Sequence, residues 1–148
     1  MADTNKTVTQ WDPGEVIVTV DNTPIEDFTA GEFINHTRTT PTRTAKIGLT
    51  GSAIVNRAHD RSATVTLNLH RSSPSNAYLS GLHIDGENGD GPEVHDLQIK
   101  DLRGSGLLSG RCIITQPPDW VADLEAPDFA WSLMLLNGDV EVKNLNPV

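Results

Sequence analysis

Between residues 61 and 70, Ala63, Val65, Leu67 and Leu69 alternate with Ser62, Thr64, Thr66, Asn68 and His70. A period of two puts every apolar side chain on one side of an extended chain and every polar one on the other. This segment is therefore expected as a β-strand with one buried and one hydroxyl-rich face, and a strand of that kind needs partners to cover the buried side. The rest of the chain supplies them. Residues 15–20 (Glu-Val-Ile-Val-Thr-Val) are rich in β-branched residues, and Asp21-Asn22-Thr23-Pro24 offers turn chemistry before a short second strand, 25–28. A third strand is expected at 31–38. Residues 52–58 are expected to pair with 61–70 around His59-Asp60. Further strands are expected at 94–102, where Leu97 and Ile99 alternate with Asp96, Gln98 and Lys100, and at 107–115 after the Gly104-Ser105-Gly106 turn. The last pair, 129–136 and 140–145, is expected to turn at Asn137-Gly138-Asp139, since Asn-Gly is a strong hairpin signal.

Two stretches fall outside this pattern. Residues 1–14 are polar, close on Trp11-Asp12-Pro13-Gly14 and read as an N-terminal tail. Residues 39–51 have no sustained period and contain one Pro and two Gly, so they read as a long loop or extended arm. A single helix is expected to start at Ser73 and Pro74, with Ser73 capping and Pro74 in the first helical position. Tyr78, Leu79 and Leu82 form its apolar stripe, Gly86 ends it, and 85–92 follow as an acidic loop. About nine strands and one short helix predict an all-β fold, a sandwich or barrel of antiparallel strands with a peripheral helix.

The 148 residues suit one domain, spanning 1–148, that folds without disulfides. Cys112 is the only cysteine and lies in an apolar run, so it reads as a core residue in a reducing cytosol. No signal peptide or membrane-length apolar run is visible, which gives an expectation of a soluble protein with no membrane partner. The net charge of −9 argues against wrapping nucleic acid, where Lys and Arg must neutralise phosphates. The charge is uneven. Residues 36–71 hold six basic residues (Arg38, Arg43, Lys46, Arg57, Arg61, Arg71) and one acid (Asp60), 6 − 1 = +5, whereas 85–96 hold five acids (Asp85, Glu87, Asp90, Glu93, Asp96) and no Lys or Arg, −5.

Catalytic patterns do not emerge. His36, His59, His70, His83 and His95 lack metal-ligand spacing, and no second cysteine joins them. Gly106-Leu107-Leu108-Ser109-Gly110 has Leu where a nucleophile elbow needs its first Gly. The loop from Asp85 does not complete a calcium pattern, with Asp96 at position 12. The expectation is a protein that is not an enzyme and takes no metal or cofactor. Of the three tryptophans, Trp131 shares the parity of Phe129, Leu133 and Leu135 and reads as core, while Trp120, in the loop after Pro118, reads as an interface anchor.

Taken in order, several segments resemble the tail tube proteins of contractile-tailed, myovirus-type bacteriophages. They are Val16-Ile17-Val18-Thr19-Val20, Asp60-Arg61-Ser62-Ala63-Thr64-Val65-Thr66-Leu67, Ser73-Pro74-Ser75-Asn76 leading into Leu79-Ser80, and Ile114-Thr115-Gln116-Pro117-Pro118-Asp119. The resemblance runs from residue 12 to about residue 136 and departs from the family at 38–51 and at Glu125-Ala126-Pro127. It implies a subunit that closes into stacked hexameric rings inside a contractile sheath, with sheath, baseplate and tail terminator proteins as partners. It also implies a virion location after assembly in the host cytoplasm, and DNA passing through the lumen without specific binding. On that reading the arm at 39–51 is an inter-subunit element. Its basic residues Arg38, Arg43 and Lys46 are expected to dock on an acidic surface of a neighbouring copy, Asp85, Glu87, Asp90 and Glu93 being the candidates. A tube or terminator component of another phage-like injection machine fits the same pattern. The alternative from another class is a β-sandwich binding module presenting Trp120 and Trp11.

Overall fold

The computed structural model describes residues 6–148. Nine strands are present among them: β1 (Val16–Val20), β2 (Thr23–Pro24), β3 (Ile34–Arg38), β4 (Arg43–Ile47), β5 (Ala53–Arg57), β6 (Ala63–Leu69), β7 (His95–Asp101), β8 (Gly106–Gln116) and β9 (Phe129–Val142). One helix, α1 (Ser75–Asn88), lies between β6 and β7, and a single 3-10 turn, Pro13–Glu15, precedes β1. Seven strands form one sheet in the order β2-β1-β7-β8-β9-β6-β3, antiparallel at every pairing, while β4 and β5 make a separate two-stranded ribbon. The all-β expectation therefore holds. None of the described helices is long and apolar enough to cross a membrane.

The alternation in β6 sets the core. Ala63, Val65, Leu67 and Leu69 are all buried, and their register partners on β9 include Leu135, Leu133 and Trp131, also buried. The same face continues through Cys112 on β8, Leu97 on β7 and Val18 and Val20 on β1. Helix α1 covers this face with Leu79, which is fully buried, and with Tyr78 and Leu82. Two polar bonds fix its position: Tyr78 Oη donates to the Val20 carbonyl at 3.0 Å and Trp131 Nε1 donates to Asn76 Oδ1 at 3.0 Å. Strands near the two ends of the sheet, β1 and β7 at one end and β3 at the other, line a single groove, so the sheet curls toward its buried face.

Several boundaries differ from the sequence expectation, each for a local physical reason. The second strand is not 25–28. Asp21 and Asn22 take left-handed backbone (φ 50° and 64°), making a two-residue turn that pairs Val20 with Thr23 at once. Ile25 then enters the core, and left-handed Asp27 (φ 57°) breaks the extension, leaving Phe28 one isolated bridge to Leu69. The third strand begins at Ile34, not at residue 31. The stretch 39–51 is not a loop, since Arg43–Ile47 is β4. Residues 52–58 consequently pair with β4 and not with 61–70, whose partners are β3 and β9. The N-terminal tail is tied down within its described part: Thr9 bridges Pro147, and Val148 N donates to the Val8 carbonyl at 2.8 Å. Residues 1–5 of that tail lie outside the described residues.

At the helix, Ser73 and Pro74 precede the first helical residue, Ser75, with Pro74 as the flanking residue. Ser73 Oγ accepts from Ser75 N at 3.2 Å and donates to the Glu26 carbonyl at 2.6 Å, so it ties the helix start to the preceding chain. The helix does not stop at Gly86. It runs to Asn88 and closes on left-handed Gly89, which places Asp85 and Glu87 inside its last turn and not in a loop.

The expected hairpin at Asn137-Gly138-Asp139 is absent. Instead β9 runs unbroken for 14 residues, because β8 is long enough to pair with both halves, from Ile114↔Leu133 to Gly106↔Val142. A register shift between Arg111 and Cys112 leaves Leu136 as the extra residue of a β-bulge. Here the glycine serves packing. A Cβ on Gly138 would meet Leu135 Cδ2 at 2.3 Å and the Ser109 carbonyl oxygen at 2.9 Å, and its cross-strand neighbour is another glycine, Gly110. Gly138→Ala is therefore expected to cost about 2 kcal/mol through overpacking. The measurement is a fall in the urea midpoint with an unchanged slope.

Candidate assembly surfaces

The β4–β5 ribbon is the least integrated part of the described chain. All ten of its residues are exposed, and it pairs with no strand of the main sheet. Register pairs Arg43 with Arg57, Ala45 with Val55 and Ile47 with Ala53, so these six residues share one face. That face is apolar toward the tip, where Leu49 is fully exposed, and cationic at the base. The opposite face carries Thr44, Lys46, Ile54 and Asn56. The turn closes through Gly48 N to the Ser52 carbonyl at 2.7 Å and Gly51 N to the Gly48 carbonyl at 3.0 Å. Two features make it costly in isolation. A two-stranded ribbon alone is marginal in water, and Arg43 directly opposite Arg57 adds like-charge repulsion.

A groove of about 550 Å³ opens on the curled face of the sheet. Val16 and Ile99 form one wall, Phe33 and Ile34 the other, and Leu108 and Val140 the floor. Its charged lining is entirely acidic, consisting of Glu32, Asp101 and Glu141. Asp101 is committed to its own turn, accepting from Arg103 N at 2.9 Å and Ser105 N at 3.2 Å, while Glu141 pairs with exposed Lys143 at 3.2 Å. His36 also lines the groove, and its Nε2 is buried with no hydrogen-bond partner among the described residues. Burial and the nearby Arg38 guanidinium hold its pKa below the ordinary 6.5, so the ring is neutral at physiological pH.

The residues singled out from sequence fall in distinct places. Arg43 and Lys46 lie on β4, on opposite faces of the ribbon, and Arg38 ends β3, where its Nη2 donates to the Asp60 carbonyl at 3.1 Å. Asp85 and Glu87 sit at the C-terminal end of α1, with Asp90 and Glu93 just beyond. Among the described residues, no ion pair links the basic set to the acidic set within one chain. The acids add negative charge to a helix end already negative by its dipole, with no basic residue in that turn. The groove escaped sequence reasoning because its walls come from strands distant in the chain.

Trp120 is exposed, and one contact holds its ring within the chain. The Arg71 guanidinium lies 5.3 Å from its centroid and 4.9 Å from that of Phe129, and Arg71 Nη1 donates to the Val121 carbonyl at 2.7 Å. Arg71 thus clasps the loop 117–127 to the sheet. Trp131 and Cys112 are core residues, as the sequence indicated. Burial, aided by the Asp21 and Asp96 carboxylates, pushes the Cys112 thiol up to about 12. No group of three or more His, Cys, Asp or Glu among the described residues is placed to hold a metal ion.

These features define an antiparallel β-sheet chain with one covering helix and two unpartnered surfaces. Among solved structures, it is similar to that of the anti-feeding prophage cap, described as a tube terminating cap and determined by cryo-EM. The TM-score is 0.55 at 16% identity, over 97% of this chain and 100% of that chain. The likeness is one of fold. No protein-family model matches the sequence, and no curated protein does.

Two outcomes are expected. Arg71→Ala frees the 117–127 loop, giving about tenfold faster proteolytic cleavage there and little change in the core ladder. Cys112 resists iodoacetamide at pH 8 in the folded protein and reacts once the chain is unfolded in urea.

Proposed function

We propose that this chain is a cap or terminator subunit of a phage-like tail or injection tube, acting by assembly with copies of itself and with a tube end and not by catalysis. The observation carrying this reading is the end-to-end fold likeness to a tube terminating cap. It is a better-supported reading than that of the repeating tube subunit, toward which the sequence resemblance pointed. Physical features of the chain favour assembly in general. The main sheet leaves β2 and β3 as open edges, which ring closure would pair or cover. The exposed ribbon offers a projecting contact element.

A ring of such subunits, hexameric in the tail tube family, would have a conduit whose net-negative copies repel phosphates and let DNA slide. The enzyme-free reading rests on the absence of any assembled catalytic pattern in the sequence. The partners on this view are the last ring of a tube and the surrounding sheath, and the setting is a virion or tail-like particle built in a bacterial cytoplasm.

Electron microscopy of the purified protein separates the possibilities. A terminator forms closed rings that do not elongate and that decorate one end of preformed tail tubes. Long tubes built from this protein alone would restore the tube-subunit reading, and a monomer at every concentration and salt would sink both. Reversing Arg38, Arg43 and Lys46 to Glu should abolish rings while the monomer keeps its far-UV circular dichroism.

A further inference from the structure

We propose that the β4–β5 ribbon of one copy seats in the acidic apolar groove of a second copy, with Ile47, Val55 and Leu49 in the groove and Arg43 and Arg57 facing Glu32 and Glu141. This deepens the assembly reading above and rests on it. The two surfaces match in three respects. The ribbon has an apolar face lacking a cover among the described residues, and the groove is an apolar concavity of about 550 Å³, of the size that takes several side chains. The ribbon base carries two arginines directly opposed, which an acidic partner would relieve, and the groove lining has three acids and no Lys or Arg. Asp101 being committed to its own turn, Glu32 and Glu141 are the acids left to meet them, and Glu141 would exchange its exposed Lys143 partner for arginine.

The acidic surface at the end of α1 is the weaker receptor. Asp85, Glu87, Asp90 and Glu93 are exposed, and the trough beside Glu87 and Glu93, lined by Leu82, Ile113 and Ile114, holds about 180 Å³, about a third of the room the larger groove offers Ile47, Leu49 and Val55. Desolvating arginines against carboxylates is favourable chiefly where apolar contact excludes water around them. In the groove both conditions occur together. The geometry is heterologous, with a projecting element on one copy and a receptor on the next, so the contact can propagate round a ring.

The test is cysteine cross-linking in the full chain, with Cys112 buried and silent in the folded state. Ile47→Cys and Val142→Cys are made in separate proteins, mixed under mild oxidation and run on non-reducing gels. A heterodimer band is expected, together with loss of ring assembly in the Arg43→Glu, Arg57→Glu double variant and at least tenfold recovery when that variant is mixed with Glu32→Arg, Glu141→Arg protein. Melting curves of each variant confirm that it folds. If wild-type rings form but Ile47→Cys cross-links to Glu87→Cys and not to Val142→Cys, the groove is the wrong receptor and the assembly reading stands. Rings that survive the double arginine reversal likewise overturn the groove alone. A wild-type protein that is monomeric throughout overturns both.

Discussion

The central constraint is the unbroken run of β9. Its first seven residues, Phe129–Leu135, pair with β6 along one edge and Ser132–Val142 pair with β8 along the other, so one strand holds the two halves of the sheet together. Its inward residues Trp131, Leu133 and Leu135 are buried against the β6 stripe and the helix. The hydrophobic effect acts here on a contiguous face, each fully buried aliphatic side chain contributing about 1.5–3 kcal/mol. The bulge at Leu136 and the glycine pair Gly110–Gly138 let the same strand continue into the floor of the groove at Val140. The groove is thus a product of the same ladder that builds the core.

What the sequence disclosed followed the distinction between local and non-local causes. The period-two stripe of β6, the β-branched run of β1, the apolar stripe of α1 and the core roles of Cys112 and Trp131 are all local signals, and the structure agrees with them. The failures came where local chemistry lost to pairing. Asn137-Gly138 is a strong turn signal on its own, but β8 provides ladder partners on both sides of it, and the glycine answers a packing need. At β4 the opposite error occurred. Arg43, Ala45 and Ile47 do alternate, and Gly48 and Gly51 flank a turn, yet Pro41 and the short run concealed a ribbon. The basic character of that segment was legible, whereas its apolar face becomes visible only with the register to β5.

The surfaces the sequence missed share one property: they are assembled from distant segments. The groove brings residues of β1, β3, β7, β8 and β9 together, and no linear pattern encodes it. The Arg71 clasp on Trp120 and Phe129 likewise spans some fifty residues of chain, so the exposed tryptophan looked free when it is already stacked. Charge was readable as a sum. Its arrangement into a cationic ribbon and an acidic trough was not.

The opposed arginines of the ribbon carry a consequence for how assembly would proceed. A segment that repels itself and buries nothing is held only weakly in one shape, so a single docking event must first meet the cost of ordering it. One contact between two copies would then be short-lived. In a closed ring every ribbon is ordered at the same time and each copy is held from two sides, so the last subunit to arrive converts weak contacts into a lasting ensemble. Partial rings would be scarce and complete ones persistent.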